Sequence, residues 1–378
     1  MPGIRSSIHS PITKIETLSI SPEVHPSLVV RGASGVHDHS NFLIVRITTA
    51  AGVSGIGEVN GTLYACGEDG TTAKHVLQKV IAPKLMGQPL APVENLQKII
   101  DQALAGSPFT KAGINTALWD AYARTLDVTM AEALGGVRRE QIPIKFSLSG
   151  DKKRIQHVYE TATKLGFGAF KLKIGMDPVD DADRFAFTRQ LVGSETFLGT
   201  DANMGFRRSE ARMMASLMRE MNPAFFEQPV AAGDLQGMFE LRELGLPIVA
   251  DESVFQLDDL VAVLRKQAAD VVSVYVGKSG GPSKAVQMGM IADAFGIDSI
   301  IGSNGESGVG AAAQLQVAAA IPGLSIRFPS DIIGEFYYSE SVLQERLDSD
   351  GRVVHLPDAP GLGVSLKSEL SDHFESLG

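Results

Sequence analysis

Acidic and basic side chains recur along the second half of this chain at intervals that metal-assisted chemistry would need. Reading the ends of short apolar runs gives Lys171 and Lys173 in "FKLKIG", Asp201 and Asn203 in "LGTDANMGF", Glu227 in "FFEQP", and Asp251 with Glu252 in "VADES". Tyr275 and Lys278 follow in "DVVSVYVGKSGG", then Glu306 in "IGSNGES" and Asp331 in "PSDIIG". From Lys173 the steps to Asp201, Glu227, Asp251 and Tyr275 are 28, 26, 24 and 24 residues, one strand-helix unit each. Three carboxylates drawn to one place repel one another unless a cation sits among them. Oxygen-only ligation with room for water and substrate suits Mg²⁺, with Mn²⁺ as second choice, and is wrong for structural zinc. Any one of these acids alone would pass for a helix cap or a surface charge. Three at successive strand ends do not.

Lys171 and Lys173 lie two residues apart on one strand, so their side chains share a face. A lysine held beside other cations has its ammonium destabilised, and the neutral amine is then a usable base. Moving a lysine from about 10.4 to near neutrality takes roughly 4 kcal/mol of such destabilisation. A metal and a lysine together can hold a carboxylate, remove the proton α to it and stabilise the resulting ene-diolate. Asn203, Glu252, Glu306 and Asp331 are the candidates for orienting ligands and lysines or touching substrate.

Convergence of these groups requires a scaffold that repeats. From about residue 140 the chain alternates short apolar strands with longer amphipathic segments. The expected strands are Ile142–Leu148, Ala169–Ile174, Thr196–Thr200, Ala224–Phe226, Pro247–Ala250, Val271–Val276, Ser299–Ile301 and Leu324–Arg327. Eight strands alternating with helices are the signature of an α/β fold of the (β/α)8 TIM-barrel type. A doubly wound open sheet would carry a glycine-rich phosphate loop after its first strand, and "FSLSGDKKR" has none. Upstream, "ITKIETLSI", "FLIVRITT" and "VSGIGEV" read as strands, and "TTAKHVLQKVIAPKLMG", "PVENLQKIIDQALAG" and "TKAGINTALWDAYARTL" as helices. The break at "GGVRREQIPI" divides an N-terminal unit, residues 1–140, from a barrel over 141–335, with 336–378 as a C-terminal segment.

The balance of 34 Lys and Arg against 44 Asp and Glu, net −10, weighs against a nucleic-acid partner. A single cysteine, Cys66, leaves no internal disulfide and suits a reducing, cytoplasmic compartment. Residues 1–15 lack the apolar core of a signal peptide, and no run approaches a membrane span.

With these motifs in register, the chain resembles the enolase superfamily, and its muconate-lactonizing subgroup in particular, over essentially its whole length. "KAGINTALWDAYARTLDVTMAEALGG" is similar to the helix closing the capping domain of that family, and "APGLGV" to its C-terminal signature. "FKLKIG" resembles its Lys-x-Lys strand, and "TDAN", "FEQP" and "ADES" its three ligand strands. The resemblance implies a capping domain built from the N-terminal region and the C-terminal tail. It implies Mg²⁺ on Asp201, Glu227 and Asp251, Lys173 as acid/base and Lys171 over the carboxylate of a small substrate, in a homo-oligomer.

One departure shapes the expected reaction. The subgroup usually carries a second catalytic lysine on the sixth strand, in a stretch like "LKIAKNGG". Aligning "VYVGKSGG" on its shared lysine and glycines puts Tyr275 at that position and Lys278 on a structural lysine. A neutral tyrosine, with a reference value of about 10, is a poor base at pH 7 but a serviceable hydrogen-bond donor. Single-base chemistry is therefore expected, with a muconate-type cycloisomerase first. Dehydration of an acid sugar or hydroxy acid, epimerisation through Lys173 and Tyr275, and an inactive metal-binding paralogue stay open. Residues 21–41, with Arg31, His37 and His39, read as a lid, and residues 60–70, with Tyr64, as a second substrate-facing loop.

Overall fold

Residues 7–33 and 35–377 are described by the computed structural model. Seven short, almost wholly buried strands form one parallel sheet: Phe146–Leu148, Ala169–Lys173, Phe197–Asp201, Phe226–Glu227, Ile248–Ala250, Val271–Val274 and Asp298–Ile301. Each pairs with the next in chain order. Parallel strands must be covered on both faces, which is why they read as continuous apolar runs. The cover is supplied by helices between the strands, including Lys152–Lys164, Pro178–Val192, Leu235–Arg242 and Gly308–Ala320. Three of them start where an aspartate accepts from the first turn: Asp151 from Arg154 N, Asp177 from Val179 N and Asp180 N, Asp234 from Gly237 N. The register places Lys173 opposite Asp201, Asp201 opposite Glu227, and Glu227 opposite Val249. The ends of these strands are thus level with one another.

The expected eighth strand, Leu324–Arg327, is not a ladder. The sheet closes through two single bridges, Ser299 to Leu324 and Ile144 to Ser330, with Asp331 N donating to Ile301 O at 2.7 Å. Ser325 Oγ accepts from the backbone of Arg327 and Phe328, which turns the chain outward, and Ile326 is 77% exposed. Pro329, just beyond, has no N–H to offer. The first expected strand is likewise divided. Gln141–Pro143 pairs antiparallel with Val353–His355, and only Phe146–Leu148 joins the barrel. The sixth ends at Val274, where Tyr275 turns the chain into the short helix Val276–Ser279.

The N-terminal region folds as an antiparallel sheet in the order Glu375–Ser376, Ile12–Ile20, Phe42–Thr49, Ser54–Val59. The last residues of the chain therefore return to the first strand, so the cap is built from both ends. Helix Pro108–Leu126 packs directly on Ser54–Val59. A Cβ at Gly57 would lie 2.1 Å from Gly113 O, so the two elements meet backbone to backbone. Buried Glu58, on the same strand, accepts from Ser307 N at 2.9 Å, Gly310 N at 3.1 Å and the Ser307 hydroxyl. It thereby caps helix Gly308–Ala320 of the barrel from the other unit. The expected lid contains a small hairpin, Val30–Gly32 against Gly35–His37. No helix among the described residues is long and apolar enough to cross a membrane.

Candidate active site

The strand ends, the hairpin and the loop around Tyr64 enclose a cavity of about 490 Å³. Its floor is ionic. Asp201, Glu227 and Asp251 are 1%, 0% and 4% exposed. Lys171 Nζ reaches Glu227 Oε1 at 3.1 Å, Asp331 Oδ2 at 3.1 Å and Asp201 Oδ2 at 3.3 Å. Lys173 Nζ donates to Asp201 Oδ2 at 2.7 Å and to Asn203 Oδ1 at 2.9 Å. Asn203 in turn donates through Nδ2 to Glu252 Oε1 at 3.0 Å, while its backbone N–H holds Asp201 Oδ1 at 2.9 Å. Lys278 Nζ binds Asp251 Oδ1 at 2.5 Å and the backbone oxygens of Asp251 and Ser273. Lys145, fully buried, donates to Asp331 Oδ2 at 2.9 Å and Pro329 O at 2.6 Å.

Carboxylates outnumber ammonium groups here: Asp201, Glu227, Asp251, Glu252 and Asp331 face Lys145, Lys171, Lys173 and Lys278. Burial and then the Asp201 charge push Glu227 up to about 8. Burial and then Asp251 push Glu252 to about 8 as well. Asp201 goes the other way, to about 2, because Lys173 and Lys171 outweigh its burial. The sequence expectation of a depressed amine applies to a lysine beside other cations, whereas here the lysines face the carboxylates directly. Burial alone would lower Lys171 and Lys173, but Asp331, Glu227 and Asp201 lift Lys171, and Asp201 lifts Lys173, above the ordinary value. Burial raises the two carboxyls first and their crowding second, and the same surplus of buried acids over amines lifts the ammonium groups.

That surplus and the all-oxygen donor set fit a hard divalent cation held by Asp201, Glu227 and Asp251. As arranged, ammonium groups take the oxygens such an ion would use. Accordingly, no three acidic, imidazole or thiol groups among the described residues form a metal-holding cluster.

Tyr275 is 8% exposed, lines the cavity, and donates its hydroxyl to Asp251 Oδ2 at 2.9 Å. Burial, then the charges of Asp251 and Glu227, hold the phenol well above its usual value, so it is a proton donor. Lys278 Nζ stands 4.0 Å from the ring centre. The ring fits because residue 302 is glycine: a Cβ there would lie 1.8 Å from Tyr275 Cε1 and 2.3 Å from Ser273 Oγ. Gly302→Ala is expected to drive the ring off Asp251 and cost about 1–3 kcal/mol of stability by overpacking. A thermal melt and a crystal structure of the variant check this, and an unmoved ring at full stability would refute it.

The floor gathers Lys171, Lys173, Asn203, Asp251, Glu252, Tyr275, Lys278 and Asp331 around the cavity. Tyr64 and His37 also line it. Three candidates stand apart. Arg31 is exposed, because Val30 and Gly32 face the cavity and strand alternation turns residue 31 away. Glu306 lies beneath its own loop, accepting from Ser303 Oγ and from Asn304 N at 2.9 Å. His39 points to solvent and bonds Asp38. Sequence reasoning missed Lys145, although a lysine inside the apolar stretch "PIKFSL" was a visible signal. It also missed Gln228, whose side-chain oxygen takes the N–H groups of Asp251 and Ser253 at 3.0 Å each and fixes the fifth strand end.

Comparison with known proteins places this geometry among relatives. Residues 14–135 match the mandelate racemase / muconate lactonizing enzyme N-terminal domain, and residues 154–370 match the enolase C-terminal domain-like family. A chloromuconate cycloisomerase of Cupriavidus necator is 32% identical over 90% of this chain and 92% of its own length. The L-Ala-D/L-Glu epimerase of Bacillus subtilis is 31% identical over 85% of this chain and 88% of its own. The crystal structure of a Pseudomonas fluorescens muconate lactonizing enzyme complexed with muconolactone superposes with TM-score 0.91. It shares 26% identity and covers 97% of this chain and 100% of that one.

Proposed function

The chain belongs to the mandelate racemase/muconate lactonizing enzyme family of the enolase superfamily, and from that premise we propose that it abstracts the proton α to a substrate carboxylate with Lys173 as its only base. The observation that carries this reading is the pairing on opposite sides of Asp201 and Asp251. Lys173 reaches Asp201 from the second strand, while the sixth strand offers a protonated phenol instead of a second amine.

Asp201, Glu227 and Asp251 would hold Mg²⁺, with Mn²⁺ suited to the same oxygens. When bound, that cation supplies positive charge next to the substrate carboxylate and offsets the Asp201 charge that otherwise keeps the Lys173 amine protonated, which is what frees it to act as a base. Lys171, buried between Glu227, Asp331 and Asp201, is placed to keep a second positive charge there. Asn203 fixes the Lys173 amine by accepting from it, and is itself fixed by Glu252. In a cycloisomerisation, the first outcome suggested by the family, the same step runs in reverse: a substrate oxygen closes onto the carbon–carbon double bond, the π electrons move to the α-carbon, and the Lys173 ammonium delivers its proton there. A second outcome, β-elimination from a hydroxy acid, is favoured by Tyr275, whose hydroxyl can assist a departing oxygen.

Incubation in D₂O with a carboxylate panel should give deuterium at the α-carbon, abolished by EDTA and restored by Mg²⁺. Tyr275→Phe should keep that exchange within about tenfold while slowing any elimination far more, since general acids contribute on the order of 10²–10⁴. EDTA-insensitive exchange, or racemisation lost in Tyr275→Phe, would overturn the single-base assignment.

A further inference from the structure

The cavity is charged at one end only. Every acidic or ammonium side chain among its described lining residues sits on the floor: Lys171, Lys173, Lys278, Asp251, Glu252 and Asp331. Each of these lysines is already bound to a carboxylate. The roof and upper walls are built from Val24, Leu28, Val30, Phe109, Ile333 and Tyr338, with small residues between them. Arg31, the guanidinium nearest in sequence, faces outward for the alternation reason given above.

One imidazole, His37, stands among these roof residues, and it is neutral. Burial, then the neighbouring His39, lowers its pKa below the ordinary value. Its hydrogen bonds name the nitrogen that carries the proton. Tyr338 donates its hydroxyl to Gly305 O, so Ser40 Oγ, 2.8 Å away, must donate to Tyr338. Ser40 can then only accept from His37 Nε2 at 2.8 Å, which makes Nε2 the protonated nitrogen. Tyr64 overhangs the floor closely enough to feel the charge of Lys173, yet its phenol is pushed up by burial and stays protonated. The far end of the cavity thus offers neutral hydroxyl and imidazole groups amid apolar walls.

Resting on the reaction proposed above, we infer that the substrate carries one carboxylate, held at the floor, and an uncharged remainder of mixed apolar and hydrogen-bonding character. A linear dicarboxylate such as muconate would push its second carboxylate into a wall with no counter-charge, and a buried, unpaired carboxylate is strongly disfavoured. On this inference the preferred substrate is a monoanion of about muconate's length.

The test is titration calorimetry of the Mg²⁺-loaded full chain with two matched pairs: cis,cis-muconate and its mono-amide, and adipate and its mono-amide. Each mono-amide should bind tighter than its diacid by about 100-fold, the loss expected for burying an unpaired charge. Tyr64→Arg, which places a cation in the roof at a largely exposed position, should recover at least about tenfold for the diacids. Diacids that bind as well as mono-amides overturn the inference. So does a ratio that Tyr64→Arg leaves unchanged, or binding by neither member, since both present the same carboxylate to the floor. Deuterium wash-in separates this from the reaction itself. Mono-amide preference without exchange sinks the proposed chemistry and leaves the substrate class standing; exchange with diacid preference does the reverse.

Discussion

Lys173→Ala is expected to abolish α-proton exchange, by about 10³-fold or more, while the protein stays folded. The amine sits 2.7 Å from Asp201 and 2.9 Å from Asn203, and its side chain retains 15% exposure at the cavity floor, whereas Lys171 keeps 5%. Both lysines line the cavity, and Lys173 is the more open of the two to substrate. The loss should fall on kcat more than on binding, because Lys171 and the cation site still engage the carboxylate. Lys171→Ala should instead weaken binding and exchange together. Deuterium wash-in measured at saturating substrate distinguishes the two. Exchange that survives in Lys173→Ala and disappears in Lys171→Ala would reverse their assigned roles.

The second large effect concerns stability. Asp331 accepts from Lys145 at 2.9 Å and from Lys171 at 3.1 Å, and both lysines are buried. Their charges hold its carboxyl below the usual range despite its burial. Asp331→Ala strands the Lys145 ammonium in a dry environment and takes one of three carboxylates from Lys171, which should cost about 3–5 kcal/mol. Adding Lys145→Met removes the stranded charge and should recover part of that loss, a non-additivity expected of touching residues. Thermal unfolding of the single and double variants measures both. An Asp331→Ala protein within about 1 kcal/mol of the parent would refute the pairing.

The barrel was legible because its repeat is covalent: apolar runs of strand length return every two dozen or so residues, and a parallel sheet needs both faces apolar. The antiparallel cap was legible for the same reason, through "FLIVRITT" and "VSGIGEV". Reading failed where the chain uses side chains in place of a ladder. Around Leu324–Arg327 the Ser325 hydroxyl bends the backbone, an effect no periodicity reveals. At the site, residue types and spacing named the floor, since strand ends fix where side chains begin. They did not reveal direction. Arg31 looked like a substrate contact until the hairpin register turned it outward.

Glu58 has a bearing on motion. It is a carboxylate kept dry, lifted to about 7 by burial, and stabilised by donors that all belong to the barrel helix beginning at Gly308. Swinging the whole cap away from the barrel would strip those donors at once and wet the joint. The hairpin over the cavity is tied far more lightly, by the Arg154 guanidinium to Val29 O at 2.6 Å and by Arg31 N to Ser149 Oγ at 3.0 Å. Of the two attachments between cap and barrel, the one at Glu58 is therefore the harder to part without wetting a buried acid.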